Sequence, residues 1–518
     1  MILNKIKANF KIIISYLAYN ISWLTIRPLI LLVFKPKFYN SEIFKKVSPP
    51  VIFASTHKSF LDPWIISSVF PFMSRFFPII WLADEKYFKM PIIGGIIKIY
   101  GALKVIKGKD LEECLKEPLY YLIEQKTNIG IFPEGKIVFD ENKIELFKRG
   151  VGYLMVHSKA PIIPIALRLE KRFQYSDLFT MKNKAYVIFG RPFYENDTDY
   201  INIANNLKSI VSDLFFIKDY YIEKPPQEIK FECPSLLNKI THFILLPFLN
   251  SKIFSFLLRT ISKEGKLVSQ KPASALSMEI IYNMPKKSLF FVKSLKELNS
   301  IIFDRLLYQT KALRNRLRIV TYLIKESLLN QLDKNDNIFI LSLGGGSLRS
   351  IISAISELRR PDLIGKITIW NVDNDESVIS LIEEVKREFH LNNLRIKILN
   401  LNIKEFFKDF EKYVDNAFDI VELIGFLDYL PEEEVINCLN NIYSLLKNNG
   451  ILICSNIAPN NETRFLENLG WPPMYYRNIV DWVYILNKTY FKKATKIIKE
   501  PLSFHNIVYI QKIHNETS

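Results

Sequence analysis

After Pro49-Pro50 the chain alternates short apolar runs with turns and stretches of helical spacing. The runs at 51–55, 79–83, 128–132, 162–167 and 185–189 have the length and bounding turns of buried strands. Between them, 111–125 and 150–158 carry apolar residues at helical spacing. This rhythm predicts an α/β domain. It stops at Glu223-Lys224-Pro225-Pro226, where consecutive prolines end both helix and interior strand. A second α/β series opens at 337–343 and continues with strands at 366–372, 395–400, 419–424 and 450–456.

Three segments break the pattern. Residues 1–34 pair Lys5, Lys7 and Lys11 with a long apolar run that Asn20 and Arg27 interrupt. With no small-residue cleavage site following it, the run reads as an interfacial or re-entrant helix pair rather than a signal peptide or one span. Residues 234–258 form a second apolar stretch, interrupted by proline and asparagine, that is a candidate membrane contact or core-covering helix. Residues 298–332 read as long amphipathic helices rich in basic positions. The expected organisation is a membrane-associated helical segment at 1–40, an α/β domain at 41–222, a helical linker region with a candidate membrane contact at 223–297, and a second, mostly parallel α/β domain at 298–518.

A length of 518 residues suits two cores, and the net charge of +17 suits an anionic membrane surface. Nucleic acid is the weaker partner, because no recognisable nucleic-acid-binding module accompanies the charge. Cys114, Cys233, Cys438 and Cys454 are widely spaced, which points to a reducing compartment. The six histidines form no metal-ligand motif, so no metal site is expected.

Directly after the first strand stands Thr56-His57-Lys-Ser-Phe-Leu-Asp62-Pro63. If the chain turns into a helix there, Asp62 folds back onto one imidazole nitrogen and leaves the other to take a proton from a substrate hydroxyl. His57 and Asp62 are therefore the candidate catalytic pair. Further on come Pro91-Ile-Ile-Gly94-Gly95, Gly101-Ala-Leu-Lys-Val-Ile-Lys107, Phe132-Pro133-Glu134-Gly135-Lys136, Phe147-Lys148-Arg149-Gly150 and Phe189-Gly190-Arg191-Pro192. In this order the blocks resemble the glycerophospholipid acyltransferases typified by the lysophosphatidic acid enzymes, over roughly residues 40–215. The resemblance implies His57 as base, Asp62 as its orienting partner, Glu134 and Gly135 at the acceptor site, and acyl-CoA or an acyl-carrier-protein thioester as donor. The family usually has arginine where Lys107 stands, and Thr-Arg where this chain has Lys136-Ile137. Charge is kept but the bidentate fork is lost, leaving Lys107, Lys136, Lys148 and Arg149 as candidate phosphate ligands.

The second series opens with Ile338-Phe-Ile-Leu-Ser342-Leu-Gly344-Gly345-Gly346-Ser347-Leu-Arg349, a strand entering a glycine turn and a helix. Such a turn brings backbone N–H groups close to a ligand. Arg349 occupies the place where a dinucleotide fingerprint has its third glycine. Asp373 ends the next strand, a carboxylate placed for both ribose hydroxyls, with Asn374 beside it as a further candidate cofactor residue, and Asn402 follows the third strand, placed for an adenine amino group. The succession resembles class I S-adenosylmethionine-dependent methyltransferases over roughly residues 300–518, departing at Ser342, where that family often has an acid, and at Leu348. Tyr429, Asn456, Trp471, Tyr475, Tyr476 and Arg477 fall where such folds build an acceptor pocket, with Arg477 a candidate anchor for an anionic acceptor.

The combined expectation is a bifunctional lipid-modifying enzyme at the cytoplasmic face of the cell membrane. It would acylate a lysophospholipid-like hydroxyl and methylate a lipid or headgroup precursor. Membrane lipids, the thioester donor and its carrier protein are the expected partners. The alternative is a membrane-tethered methyltransferase whose first domain serves mainly as a lipid-binding module.

Overall fold

A computed structural model of the chain describes residues 2–106, 108–222, 225–283, 307–332, 337–414 and 417–513. The chain divides into two compact units, residues 1–218 and 219–518. The described residues do not include Lys107 or the 298–306 part of the predicted amphipathic helix.

The first unit is a seven-stranded sheet in the order β1-β7-β6-β2-β5-β3-β4. Its strands are β1 (Lys37–Tyr39), β2 (Ile52–Ser55), β3 (Ile79–Asp84), β4 (Leu103–Val105), β5 (Asn128–Ile131), β6 (Ile162–Leu169) and β7 (Ala185–Phe189). All neighbours are parallel except β6 and β7. The two shortest flanking strands, β1 and β4, lack a run long enough to show in the apolar pattern. β2 and β5 are adjacent, so the residues that follow them, His57 and Phe132-Pro133-Glu134, emerge together at one sheet edge. That is where ligands bind open parallel sheets.

Residues 1–34 form one helix, Ile2–Phe34, not a pair, and Pro28 lies within it. Its face is inverted relative to that of a helix on a water-soluble domain. Ile6, Phe10, Ile13, Leu17, Ile21 and Leu24 form an exposed apolar stripe, while Ser15, Tyr19, Asn20 and Ser22 are buried. Asn20, expected to interrupt the run, instead accepts from the Met73 N–H at 2.8 Å and donates to the Tyr16 carbonyl at 2.8 Å. Arg27 turns inward to the Ser68 carbonyl at 2.8 Å. With its polar groups satisfied from inside, the segment 6–34 is long and apolar enough to cross a membrane.

The second unit is an eight-stranded sheet in the order β11-β10-β9-β12-β13-β15-β14-β8. It comprises β8 (Tyr221–Ile222), β9 (Ile338–Leu343), β10 (Ile367–Val372), β11 (Arg395–Leu399), β12 (Phe418–Leu423), β13 (Leu446–Ile457), β14 (Lys496–Lys499) and β15 (His505–Gln511). From β11 to β13 the strands are parallel, and β15 is antiparallel to both its neighbours. The five parallel strands have the Rossmann-like 3-2-1-4-5 order, whose direction of winding reverses beside β9. The antiparallel β15 then departs from the dinucleotide fold, which has a parallel sixth strand.

The described part of 223–297 belongs to this second unit, rather than standing apart as a linker. Helices Leu236–Leu249, Lys252–Ile261, Lys263–Gln270 and Ala275–Tyr282 bury Leu249, Phe254, Leu258, Val268 and Ile281 against Leu313, Phe465, Leu466 and Leu469. The helix Tyr308–Leu332 also differs from its expected solvated face. Lys311, Arg314 and Arg316 are buried, and Glu232 accepts from Arg314 at 2.7 Å and Arg318 at 2.6 Å.

In the first unit, Trp81 stacks on Phe132 with ring centroids 4.6 Å apart, and Phe132 stacks on His57 at 3.8 Å. Gly130 makes room for this column, since a Cβ there would lie 2.4 Å from the Trp81 ring. Gly130→Ala is expected to destabilise the first unit by about 1–3 kcal/mol, read as a lower denaturant midpoint followed by tryptophan fluorescence.

Candidate active sites

His57 leaves β2 and the chain turns at once into the short helix Asp62–Ser67, with Pro63 preset for its first turn. The turn brings Asp62 Oδ2 to 2.8 Å from His57 Nδ1. The Asp62 carboxylate is fully buried and also accepts from the Lys58 N–H at 2.6 Å, the Ser59 N–H at 2.9 Å and the Ser59 hydroxyl at 2.6 Å. An ionised acceptor opposite Nδ1 fixes that nitrogen as the N–H and leaves Nε2 with its lone pair. Nε2 has no partner among the described residues. The pair is thus arranged as a base at the end of a parallel strand.

Glu134 follows β5. Its carboxylate is buried and accepts from the His57 N–H at 2.7 Å and the Glu145 N–H at 2.9 Å, while burial pushes its pKa up. It thus clamps the backbone of the base. Gly135 has φ +66°, and a Cβ on it would stand 2.7 Å from the Lys148 ammonium. Lys148 therefore lies over the Glu134-Gly135 turn. Lys136 pairs with Glu145 at 3.2 Å, and Arg149 is exposed at the start of helix Gly150–Ser158.

In the second unit a cavity of about 440 Å³ lies where the sheet changes winding direction. Gly344, Gly345, Gly346, Asp373, Asn374 and Asn402 all line it. Gly344 and Gly346 have φ of +65° and +55°, and a Cβ on Gly345 would stand 1.9 Å from Ser342 Oγ. Asp373 accepts from the Gly346 N–H at 3.0 Å and the Asp375 N–H at 3.0 Å. The Asn374 N–H is a further backbone donor to this carboxylate. Burial pushes its pKa up. Asn402 caps the helix Ile403–Lys408, its carbonyl oxygen accepting from the Lys404 N–H at 2.9 Å. Asn371 keeps a buried amide oxygen without a partner beside the glycine turn.

Of the expected acceptor residues, Tyr429 and Trp471 line the cavity, with Trp471 Nε1 donating to the Tyr429 hydroxyl at 2.9 Å. Arg477 does not reach it. It is buried and donates to the carbonyls of Leu427, at 2.8 Å, and Leu430, so it holds a turn. Asn456 donates to Asp428 and to the Tyr475 carbonyl, and Tyr475 is exposed. Among the cavity residues not anticipated are Gln309, Arg316, Asp428 and His505. No local motif marks them. They converge only through the pairing of β15 with β13 and the inward face of Tyr308–Leu332.

Residues 35–168 match the acyltransferase family model. The first unit thus carries an acyltransferase-family domain. A probable 1-acyl-sn-glycerol-3-phosphate acyltransferase of Mycoplasma genitalium is 28% identical over 202 residues, covering 36% of this chain and 72% of that protein. Among solved structures, magnesium protoporphyrin IX methyltransferase of Synechocystis PCC 6803 with bound SAH overlaps 48% of this chain and 100% of its own, at 13% identity and a TM-score of 0.32. A putative O-methyltransferase of Nostoc punctiforme PCC 73102 overlaps 54% of this chain and 100% of its own, at 13% identity and a TM-score of 0.30.

Asp62→Asn places an amide where the ionised acceptor stood and releases the imidazole tautomer. Acyl transfer is expected to fall by about 10²-fold or more with KM little changed, measured as steady-state turnover of a labelled acyl thioester.

Proposed function

We propose that the chain is a membrane-associated, bifunctional lipid-modifying enzyme. The observation that carries the first activity is His57, held by Asp62 through Nδ1 with Nε2 left without a partner among the described residues. In this reading Nε2 takes the proton of a lysophospholipid-like hydroxyl, such as that of a 1-acylglycerol-3-phosphate. The oxygen attacks the carbonyl of acyl-CoA or acyl-carrier-protein thioester, the C–S bond breaks, and the leaving thiolate takes the proton back. Lys148, beside Gly135, and Arg149 are the candidate partners for the acceptor phosphate.

The second activity is methyl transfer from S-adenosylmethionine, which supplies an electrophilic methyl group when bound. The glycine turn would allow its amino-acid chain close backbone approach, Asp373 would accept from the ribose hydroxyls, and Asn374 and Asn402 would stand beside the nucleoside. The unpartnered Asn371 oxygen and the fit of Gly345 against Ser342 support a cradle built for a ligand.

Membrane association is supported by the outward apolar stripe of Ile2–Phe34. A second contact is supported by Leu236, Leu237, Ile240, Phe243, Ile244, Ile253 and Phe256, exposed on two successive helices of the second unit. Exposed apolar surface of this extent marks an interaction site. The cationic chain and its spaced cysteines favour the cytoplasmic face.

The detergent-solubilised chain, incubated with labelled acyl thioester and a panel of lysophospholipids, is expected to form an acyl product that His57→Ala loses by about 10²–10⁴-fold, read by mass spectrometry. No product from any acceptor, alongside intact binding of S-adenosylhomocysteine, would reduce the first unit to a membrane module.

Binding of S-adenosylhomocysteine should also depend on pH. The Asp373 carboxylate titrates above the ordinary aspartate value of about 3.9. Affinity that needs the ionised form is therefore complete above the raised pKa and lost as pH falls through it. Calorimetric titration should show that step in the natural chain and a weaker, pH-flat affinity in Asp373→Asn.

A further inference from the structure

This inference rests on reading the cavity of the second unit as the S-adenosylmethionine site, and it concerns the acceptor that shares it. Arg316 is 4% exposed, and its guanidinium lies against Gly425, where a Cβ would stand 3.7 Å from Nη1. A guanidinium has five N–H donors. Among the described residues its one hydrogen bond runs from Nη2 to the Tyr282 hydroxyl at 3.4 Å, and Nε has no partner. A buried charge left so open is costly unless a ligand completes it.

The neighbouring carboxylates do not complete it. Glu422 accepts from the Ser342 hydroxyl at 2.7 Å and from Ser350, and Asp428 accepts from the Ile457 N–H at 2.6 Å and from Asn456. Neither lies within ion-pair distance of Arg316. His505 opens β15 opposite Ile457 and is buried, with both ring nitrogens unpartnered among the described residues. Burial and the Arg316 charge hold its pKa well below the ordinary value, so it is neutral and keeps one N–H to donate.

The cavity thus has two chemically distinct ends. Asp373, Asn374 and Asn402 stand beyond β10 and β11, an acceptor-rich end suited to a nucleoside. Arg316 and His505 stand beyond β12 and beside β13, next to Glu422 and Asp428, and carry the open donors of that end. Leu313, Phe465, Leu466, Trp471 and Met474 wall the remainder with apolar surface.

We propose that Arg316 and His505 form the methyl acceptor's subsite, and that the acceptor is a carboxylate on an apolar body, converted there to its methyl ester. The acceptor oxygen forms the new O–C bond as the C–S bond of the sulfonium breaks, and the bonding pair stays on sulfur as a neutral thioether. The negative charge on oxygen and the positive charge on sulfur cancel. No proton moves, so no base is required, which agrees with a neutral His505 acting as donor to the second carboxylate oxygen. Attraction between the reacting charges grows as the dielectric falls, so a dry cavity suits this step. A phosphate monoester offers the same anionic oxygen from another source.

Calorimetry on the detergent-solubilised full chain tests this, with S-adenosylhomocysteine bound first and hexanoate, hexyl phosphate or hexanol titrated second. Hexanoate is expected to bind about tenfold or more tightly than hexanol. Arg316→Met should abolish that preference while S-adenosylhomocysteine affinity stays within about threefold, and Arg316→Lys should keep part of the preference. With S-adenosylmethionine, mass spectrometry should then find methyl hexanoate. Equal binding of hexanoate and hexanol overturns the proposal, and this comparison needs no variant. A preference for hexyl phosphate overturns the carboxylate assignment. Loss of S-adenosylhomocysteine affinity in folded Arg316→Met also overturns it, because the guanidinium would then hold the cofactor's own carboxylate. Failure of the natural chain to bind S-adenosylhomocysteine at all would instead remove the methyltransferase reading beneath it.

Discussion

Asp62 has no contact with solvent, and taking a carboxylate out of water costs several kcal/mol unless donors replace the hydration it loses. Three local donors meet most of that requirement, from Lys58, Ser59 and the Ser59 hydroxyl. The fourth is the imidazole itself. Because the local donors come from the turn between β2 and the helix Asp62–Ser67, the carboxylate fixes the turn and the turn fixes His57. Glu134 repeats the device from the adjacent strand end, closing on the N–H of His57 from the other side. Rigid placement of a base thus follows from satisfying two buried acids. The aromatic column of Trp81, Phe132 and His57 then sets the ring plane.

The second unit meets the same constraint with a different outcome. Ser342 stands where the methyltransferases it resembles often have an acid. Glu422 pairs with it in register on the neighbouring strand and receives its hydroxyl proton. A carboxylate thus borders the cavity from β12. Burial raises the pKa values of Glu422 and Asp428, and each is satisfied by its own donors. Arg316 is left with an open fork because its nearest acids are already occupied.

What was legible in the sequence was local. Ile-rich runs bounded by turns located β2, β3, β5, β6, β7 and the five parallel strands of the second unit, because a buried parallel strand carries its apolar signal in itself. His57 with Asp62, and the glycine turn with Asp373, were legible because both partners lie within a few residues or one strand-turn unit. Arg316 and His505 were not, since what defines them is burial without partners, a property of the packed chain. The basic residues of Tyr308–Leu332 were misread for a related reason: Glu232, which neutralises Arg314 and Arg318, is far away in sequence. Asn20 and Arg27 show the converse error. A polar residue in an apolar run signals an interruption only if it faces lipid or core, and these two face backbone groups of their own unit.

The helices between Leu236 and Tyr282 combine two roles that a soluble lid would keep apart. Val268, Met278 and Ile281, on the last two of them, wall the cavity, and Phe243 and Ile244, on the first, are apolar and exposed. A lid that worked in water would carry polar residues outside, because exposed apolar side chains forgo the stabilisation of burial, about 1.5–3 kcal/mol for each large one. The arrangement is economical only if something apolar covers the outer face. An acceptor with an apolar body dissolves in that same phase.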